Sequence, residues 1–424
     1  MSLFGALNTA VSGLTAQSAA FTNISDNVAN SQTIGFKGIN TSFIDYLSSS
    51  TATQNQSGSV ATRPDYENNV QGTIETSTDA TAMAISGQGF FQVSTQSGVT
   101  ATGVPILNNT PEYTRTGDFT VDKAGYMVNS AGGYLNGWPA DPTGNVIQGA
   151  LTPIKINQTQ NPPVQTANVT VATNLPQGGT TPNTTTVSAY DTAGATHQLA
   201  LTWTPVGTAA APSADWTLSV AQDGGTPVNV GRATFNANGT MNTFTPAPPA
   251  TGLATQARAG EQGVTVPASW GPVAFDLGTT GLSDGVTQFA GLPYASRNIT
   301  ADGVTAGNYT GVSIQSNGSV VASYDNGTTR TLAQVPVVTF GNANALQRQN
   351  GEAFTATAAS GNGLVNVQNA NGAGSLDIGS TENSNVDIAT ELTKLIVAQQ
   401  AYGANAKMIT AANQMLTTTI NTIQ

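Results

Sequence analysis

The chain has 424 residues and no cysteine, and only 8% of its residues are charged. This length is enough for two to four domains, and the missing cysteines exclude disulfides and thiolate metal sites. The net charge of -11 disfavours nucleic acid and anionic membrane surfaces as partners, and no apolar run approaches the ~18 residues of a membrane span.

Residues 1–30 form the first predicted element, a helix whose apolar side chains repeat every seven residues. The two rows of this seam are Leu7, Leu14, Phe21 and Val28, and Leu3, Ala10, Gln17 and Ile24. Asp26 is the only charged residue before Lys37. Because a solvated coiled coil carries charges beside its seam, these neutral flanks predict a helix surrounded by other helices. Packing on the core of the same chain is the alternative.

The stretch SDNVANSQTIGFK, residues 25–37, predicts the end of this helix. Asn27 and Asn30 compete for backbone hydrogen bonds, and Gly35 permits a turn. The polar residues that follow, 31–76, predict an extended connecting arm, which residues 356–385 would complete.

The middle of the chain predicts short antiparallel strands. Leu199, Leu201 and Trp203 alternate with smaller or polar residues. Hairpin turns are expected at Asp122 to Gly125 and, as two-residue turns, at the Asn-Gly pairs that begin at 238, 317 and 326. Pro/Thr/Gln-rich stretches mark residues 151–280 as an inserted outer β-domain. Residues 77–150 and 281–355 would then build one inner β-domain from two pieces of chain.

Residues 386–424 predict a second helix with a heptad seam and no charge after Lys407. Its rows are Ile388, Leu395, Tyr402, Ile409, Leu416 and Ile423, and Leu392, Gln399, Ala406, Asn413 and Ile420. The predicted fold class is therefore α+β and mostly β, with nested discontinuous domains. Residues 1–30 and 386–424 would form a coiled-coil-like assembly domain, and the chain between them would form antiparallel β-rich inner and outer domains.

The residues offer little chemistry. GLSDG at 281–285 formally matches a nucleophile elbow, but that motif needs a following helix and a downstream histidine, whereas the single histidine, His197, lies upstream. The aspartates near Gly303 and Gly327 lack the spacing of a calcium loop. We therefore predict no enzyme activity and no catalytic, cofactor-binding or metal site.

Several stretches together resemble the bacterial flagellar rod and hook axial proteins. LNTAVSGLTAQ and ISDNVANSQTIGFK are similar to the N-terminal motif of that family, which maps onto Asn27, Asn30, Gly35, Phe36 and Lys37. SGQGFFQV and YTRTGDFTVDKAGYMVNSAGGYLNGWPA resemble its inner β-domain, and SNVDIATELTKLIVAQQAYGANAKMITAANQML resembles its C-terminal helix. VSAYDTAGATHQLALTWT is similar to the outer domain of hook proteins, which distal rod proteins usually lack.

The resemblance implies a structural subunit of the flagellar hook, a curved tubular helical polymer that acts as a flexible universal joint and transmits torque from rod to filament. It also implies self-assembly, contacts with the distal rod, the hook cap and the hook-filament junction protein, and type III export to the cell exterior without a cleavable signal peptide. A distal rod subunit and a secreted β-rich adhesin are the alternatives.

Overall fold

Two long helices stand at the ends of the described chain, and short strands fill the rest. The structure is a computed structural model that describes residues 3–50, 55–141, 144–207, 215–253 and 258–423. Helix α1 spans Leu3–Ala29 and helix α2 spans Ile388–Ile423. The predicted fold class, α+β and mostly β, is confirmed. Neither of these helices is long and apolar enough to cross a membrane.

The strands are numbered in chain order. The first twelve are β1 (Ile39–Ser50), β2 (Asn55–Tyr66), β3 (Ile74–Thr76), β4 (Met83–Ser86), β5 (Phe91–Ser94), β6 (Gln96–Val99), β7 (Pro105–Leu107), β8 (Glu112–Thr114), β9 (Thr120–Val121), β10 (Met127–Val128), β11 (Tyr134–Pro139) and β12 (Thr152–Pro153). The next ten are β13 (Asn168–Asn174), β14 (Asn183–Tyr190), β15 (Thr196–Pro205), β16 (Trp216–Gln222), β17 (Val228–Phe235), β18 (Met241–Pro246), β19 (Thr251–Gly252), β20 (Glu261–Ala268), β21 (Gly271–Thr279) and β22 (Ala295–Ala301). The last nine are β23 (Tyr309–Ile314), β24 (Ser319–Tyr324), β25 (Thr329–Gln334), β26 (Val337–Thr339), β27 (Gln347–Arg348), β28 (Ala353–Thr355), β29 (Leu364–Asn366), β30 (Ser375–Ile378) and β31 (Ser380–Glu382).

The chain divides into two compact units. Unit 1 comprises residues 1–158, 311–323 and 329–424, and unit 2 comprises residues 159–310 and 324–328. The predicted outer domain, residues 151–280, was therefore placed too early in the chain at both borders. Strand β12 pairs with β11 of unit 1, whereas β22 pairs with β13 at the edge of a unit 2 sheet. The change in amino-acid composition along the sequence reflects surface residues, whereas the border between the two units depends on which strands pair with each other.

Unit 1 contains the two helices and a large sheet in which many neighbouring strands are not consecutive in the chain. The path of this sheet is β23-β24-β25-β11-β5-β8-β28-β27, with β9, β10 and β12 attached beside β11. Its apolar residues include Phe91 and Phe119, whose rings meet edge to face at 5.5 Å and are fully buried. Two small ladders, β3 with β31 and β4 with β30, tie the segment that precedes α2 to the start of the sheet region.

The predicted connecting arm is instead a long antiparallel hairpin for much of its length. Strands β1 and β2 pair from Ile39 with Tyr66 to Ser50 with Asn55. The hairpin lies against α1, where the Ser12 hydroxyl accepts a hydrogen bond from the Val60 amide at 3.1 Å. The second arm segment, 356–385, pairs with unit 1 strands through β29, β30 and β31. These strands were not predicted from the sequence because their side chains are mostly polar. Backbone pairing between strands needs few apolar residues.

Unit 2 is a sandwich of two five-stranded sheets around one apolar core. The sheets run β19-β20-β21-β13-β22 and β14-β15-β16-β17-β18. The predicted alternation is confirmed, since Leu199, Leu201 and Trp203 are at most 1% exposed, while the residues between them are half-buried. Trp216 and Phe275 come from facing sheets and join the same core.

The predicted hairpin turns occur, but they are three-residue loops closed by a glycine. In the loop that ends at Gly239, the Gly239 amide donates to the Asn236 carbonyl, and the Asn236 amide donates to the Thr240 carbonyl. Gly239 has φ of 80°, whereas Asn238 is not left-handed. The same pattern closes the loops at Gly125, Gly318 and Gly327. The loops are therefore type I turns with a glycine bulge, and only one residue needs a left-handed backbone.

Replacing Leu218, fully buried in the unit 2 core, tests this packing. We expect Leu218→Ala to lower the free energy of unfolding by about 2–5 kcal/mol, because it leaves a cavity between two sheets. Urea unfolding followed by tryptophan fluorescence measures the loss. The matched control is Thr217→Ala on the outer side of the same strand, and equal effects of the two substitutions would contradict the sandwich assignment.

Candidate assembly surface

Helices α1 and α2 pack closely because small residues line their contact. A Cβ atom added to Gly13 would lie 2.8 Å from the Asn405 amide nitrogen, so the two backbones approach where Gly13 has no side chain. Ala16 and Ala20 of α1 are buried, as are Ala398 and Ala412 of α2. The rings of Phe21 and Tyr402 meet edge to face at 6.3 Å. The two ends of the described chain therefore form one helical pair.

The predicted α1 seam is only partly buried in this structure. Ala10 and Ile24 are buried, and the remaining seam residues with described side chains are partly exposed: Leu7, Leu14, Gln17, Phe21 and Val28. The side chain of Leu3 lies outside the described residues.

The row of α2 residues that faces α1 lies one position before the predicted row that begins at Leu392. The inward row is Glu391, Ala398, Asn405 and Ala412, spaced seven apart. The predicted row of Leu392, Gln399, Ala406, Asn413 and Ile420 lies beside it, and all of these residues except the half-buried Ala406 are exposed. In the other predicted row, Leu395, Ile409 and Leu416 are half-buried, Ile388 and Tyr402 are each 43% exposed, and the side chain of Ile423 lies outside the described residues. Sequence reasoning missed the inward row because alanines and a glutamate carry little apolar signal.

Large apolar side chains remain exposed along α2. Val397, Met408 and Met415 are 59–60% exposed, and Leu392 and Ile420 are 46% and 58% exposed. Soluble monomers rarely leave a row of such residues uncovered, so this surface has the character of an interface.

A groove runs between α1, β1 and α2 on one side of the helical pair. Its walls include Gln17, Ile24, Phe43, Val397 and Ala401. Lys394 stands at its rim, where its Nζ donates to Glu391 Oε1 at 2.6 Å and to Asn40 Oδ1 at 2.7 Å. These contacts satisfy the single cation of the groove, so the groove surface is apolar and nearly neutral.

A buried charge cluster lies where α1 ends and the chain returns toward α2. Glu382 is fully buried and accepts hydrogen bonds from Lys37 Nζ at 2.6 Å, from Arg115 Nη1 at 2.8 Å and from the Gly72 amide at 2.8 Å. Arg115 also donates to the carbonyl oxygens of Ile85 and Gly87. Burial lowers the pKa of Lys37 from its ordinary value of 10.5 to about 8, although Glu382 opposes the shift. One carboxylate thus joins two buried cations that lie 267 and 345 residues away from it.

The rest of the Asn-rich motif connects this cluster to both helices. Asn27 is buried and donates to the Ile39 carbonyl and to Glu391 Oε2, while its own Oδ1 accepts from the Ile39 amide. Gly35 has φ of 73°, and an added Cβ atom would lie 2.7 Å from the Thr116 amide nitrogen. The Asn30 side chain donates to the Asp26 carbonyl at the helix end.

Phe36 completes the motif as a buried aromatic ring. The Arg348 guanidinium lies 4.8 Å from the centre of this ring and donates to the Lys37 carbonyl at 2.6 Å. Through these contacts, the five motif residues connect the end of α1, the start of α2 and the β-strand region of unit 1. Sequence reasoning did not find their partners Glu382 and Arg115, because isolated charges in a low-charge chain carry no spacing signal.

The remaining polar candidates have ordinary surroundings. Ser283 lies in an exposed turn. The His197 ring stacks on Trp270 at 3.9 Å, and its Nδ1 lies 2.7 Å from Asp223 Oδ2. Within the described ranges, His, Asp and Glu side chains form no group of three that could hold a metal ion.

Family models and known proteins match this chain along its length. "Flagella basal body rod protein" matches residues 7–37, "Flagellar hook protein FlgE/F/G D1 domain" 84–174, "Flagellar basal body protein FlaE D2 domain" 155–304 and "Flagellar basal body rod FlgEFG protein C-terminal" 378–422. The flagellar hook protein FlgE of Brucella suis is 31% identical, with 99% of each chain covered. The FlgE of Caulobacter vibrioides is 26% identical over 598 aligned positions, covering 99% of this chain and 100% of the relative.

A crystal structure of Helicobacter pylori flagellar hook protein FlgE2 shares the fold, with a TM-score of 0.50 and 14% identity over 71% of this chain and 98% of that chain. The helical pair and the β-rich units thus define an axial structural protein of the flagellum. The chain belongs to the flagellar hook protein family.

The buried carboxylate can be tested by comparing Glu382→Gln with Lys37→Met. We expect Glu382→Gln to cost about 3–5 kcal/mol in the free energy of unfolding, because it leaves two buried cations without an anion. Lys37→Met should cost less, since Arg115 keeps its partner. Differential scanning calorimetry measures both, with exposed Lys123→Met as the control. A Glu382→Gln protein as stable as the control would contradict the cluster.

The lowered pKa of Lys37 predicts a pH dependence of stability. Between pH 8 and 10.5 the folded chain has released a proton that the unfolded chain still holds, so unfolding takes up a proton. The contribution of Lys37 to stability therefore rises with pH, by at most about 1.4 kcal/mol per pH unit. We expect the difference in unfolding free energy between the unmodified chain and Lys37→Met to shift in favour of the unmodified chain from pH 8 to pH 10. A flat or falling difference, measured by urea titration at each pH, would contradict it.

Proposed function

We propose that this chain is the structural subunit of a flagellar hook and that its helical pair is the assembly element. The polymer is a curved tubular helix that acts as a universal joint and transmits torque from rod to filament. The observation that carries the proposal is the full-length similarity to hook proteins, with 99% of the chain covered at 31% identity. The exposed apolar rows of α2 give this similarity a physical basis, since burying them requires neighbours.

The proposed seams place their apolar residues toward neighbouring helices in the polymer. Burial of apolar surface contributes about 25 cal/mol per Å², so repeated contacts along a tube supply the association energy without ion pairs. The sparse charge of both helices suits this arrangement, because a charge buried between subunits would need its own partner. By similarity to the family, the other partners are the distal rod, the hook cap, the hook-filament junction protein and the type III export apparatus.

Unit 2 supports a hook subunit over a distal rod subunit. The D2-domain match covers residues 155–304, which is most of unit 2. By similarity to the family, the proposed location of the subunit is outside the cell body, in the flagellum. A secreted adhesin would not require apolar rows along a terminal helix.

Immunogold electron microscopy tests the location. An antibody raised against unit 2 should label a short curved segment between the cell body and the filament of intact flagellated cells. Label confined to the envelope would support the rod, and label scattered over the surface would support the adhesin.

Assembly can be tested on the purified chain. The intact chain should form tubes as its concentration rises, and removing residues 1–30 or 386–424 should abolish them, because either deletion removes one helix of the pair. Electron microscopy and sedimentation detect the tubes. Leu218→Ala, which lies in the unit 2 core, is the control for general destabilisation, and tubes formed by either truncated chain would contradict the assembly role.

A further inference from the structure

Seven asparagines of this chain are followed directly by glycine, and their surroundings separate one of them from the other six. They are Asn136, Asn238, Asn317, Asn326, Asn350, Asn362 and Asn371. Glycine has no side chain to shield its own amide nitrogen, so an Asn-Gly pair can close a five-membered ring between that nitrogen and the asparagine carboxamide. In a folded chain, ring closure is easiest where the pair is exposed and where neither the glycine amide nor the carboxamide is held in a hydrogen bond.

Three of the pairs are held in the loops closed by a glycine bulge. In the loop at Asn238, the Gly239 amide donates to the Asn236 carbonyl, and Oδ1 of Asn238 accepts from the Thr240 amide at 3.2 Å. The pairs that begin at 317 and 326 make the same two hydrogen bonds. Ring closure in these loops therefore requires both hydrogen bonds to break first.

Three other pairs are restrained by burial, by close packing or by a side-chain hydrogen bond. Asn136 lies in β11 and is 3% exposed. A Cβ atom added to Gly363 would lie 2.8 Å from a side-chain carbon of β26, so the backbone that follows Asn362 is closely packed. The Asn371 carboxamide donates to Asn366 Oδ1 at 3.0 Å.

Asn350 has none of these restraints. It lies with Gly351 in the turn between β27 and β28, and both residues are exposed. In the part of the chain that the structure describes, neither the Gly351 amide nor the Asn350 carboxamide takes part in a hydrogen bond. The nitrogen and the carbon that close the ring are therefore both open to water.

We propose that Asn350 is a site of spontaneous deamidation, at which the chain changes its own charge with water as the only co-reactant. The Gly351 nitrogen, after losing its proton to hydroxide, bonds to Cγ of Asn350. The bond from Cγ to the side-chain nitrogen breaks, and that nitrogen takes up a proton and leaves as ammonia. Water then opens the succinimide ring at either carbonyl and leaves aspartate or isoaspartate. An amide thus becomes a carboxylate, and no group is oxidised or reduced.

The modified residue would lie beside the junction at the end of α1. Asn350 lines a shallow depression together with Asp26, Arg348 and Glu352. A new carboxylate there adds a third anion near one guanidinium, which is the group that donates to the Lys37 carbonyl at 2.6 Å. Isoaspartate also lengthens the main chain of the turn by one methylene group. Deamidation at this position therefore acts on the contacts that hold the N-terminal motif.

Mass spectrometry of the full-length chain tests the site, with the other six pairs as internal controls in the same sample. The folded chain is incubated at mildly alkaline pH and then digested with pepsin in acid, which stops further ring closure. The peptide that contains Asn350 should gain about 1 Da at least about tenfold faster than the peptides from the three glycine-bulge loops, because each hydrogen bond that must break raises the barrier there. It should also react faster than the remaining three. Isoaspartate should be the main product, and the rate should rise in proportion to the hydroxide concentration.

The same measurement in urea separates the effect of the fold from that of the local sequence. All seven peptides should then react at similar rates, because the contacts that distinguish them are lost. The matched variant is Asn350→Gln, whose longer side chain would have to close a less favourable six-membered ring. Its peptide should stay unmodified while the other six behave as before.

Three results would overturn the proposal. The first is an Asn350 peptide that stays unmodified in the folded chain, and the second is another Asn-Gly peptide that reacts as fast as it does. The third is aspartate without isoaspartate, since direct hydrolysis of the carboxamide forms no succinimide. None of these results bears on the proposed hook function, which labelling and tube formation test separately.

Discussion

A single buried carboxylate ties together parts of this chain that are far apart in sequence. Glu382 lies at the end of the last strand before α2, and it accepts hydrogen bonds from Lys37 after α1 and from Arg115, which directly follows β8 in unit 1. Two cations around one anion in a dry site would repel each other if the anion were absent, so the cluster forms only when all three segments are in place. The helical pair depends on this meeting point, because it fixes where α1 ends relative to where α2 begins. Among the described ion pairs, the two that are buried at both partners lie in this junction, whereas the helices carry few charges.

The contrast between junction and helices explains the unusual composition. Charges inside a repeated helical contact would each need a partner at every subunit boundary, whereas alanine, glycine and threonine allow close approach without that requirement. Gly13 against Asn405 shows how close this approach is. The neutral helices and the charged junction are thus two solutions to one requirement, that each buried polar group has a partner.

The sequence predicted the helices, the β-rich middle and the strand alternation around Trp203, because each depends on a local period of apolar residues. The β1–β2 hairpin was not predicted, because its Ser and Thr residues give no strong alternation and its order comes from the pairing of β1 with β2 and from contact with α1. The predicted border at residue 280 left β22 outside the outer domain for a similar reason. This strand joins unit 2 by pairing with β13, where Ala301 lies opposite Val169, 132 residues earlier in the chain. In the candidate site, motif residues such as Asn27 and Lys37 were found, whereas Glu382, Arg115 and the alanines of α2 were not. Those residues act through partners that only the folded chain brings near.

The way in which unit 2 begins and ends has a consequence for how such proteins change in length. Asn161 near its start and Gly307 near its end exchange two backbone hydrogen bonds, and Val164 and Val304 do the same. The chain therefore enters and leaves this unit through a narrow two-stranded stem. A module attached by such a stem can gain or lose whole segments during evolution while the termini keep their geometry. A family built in this way can vary its outer surface freely and still conserve the machinery that joins one copy to the next.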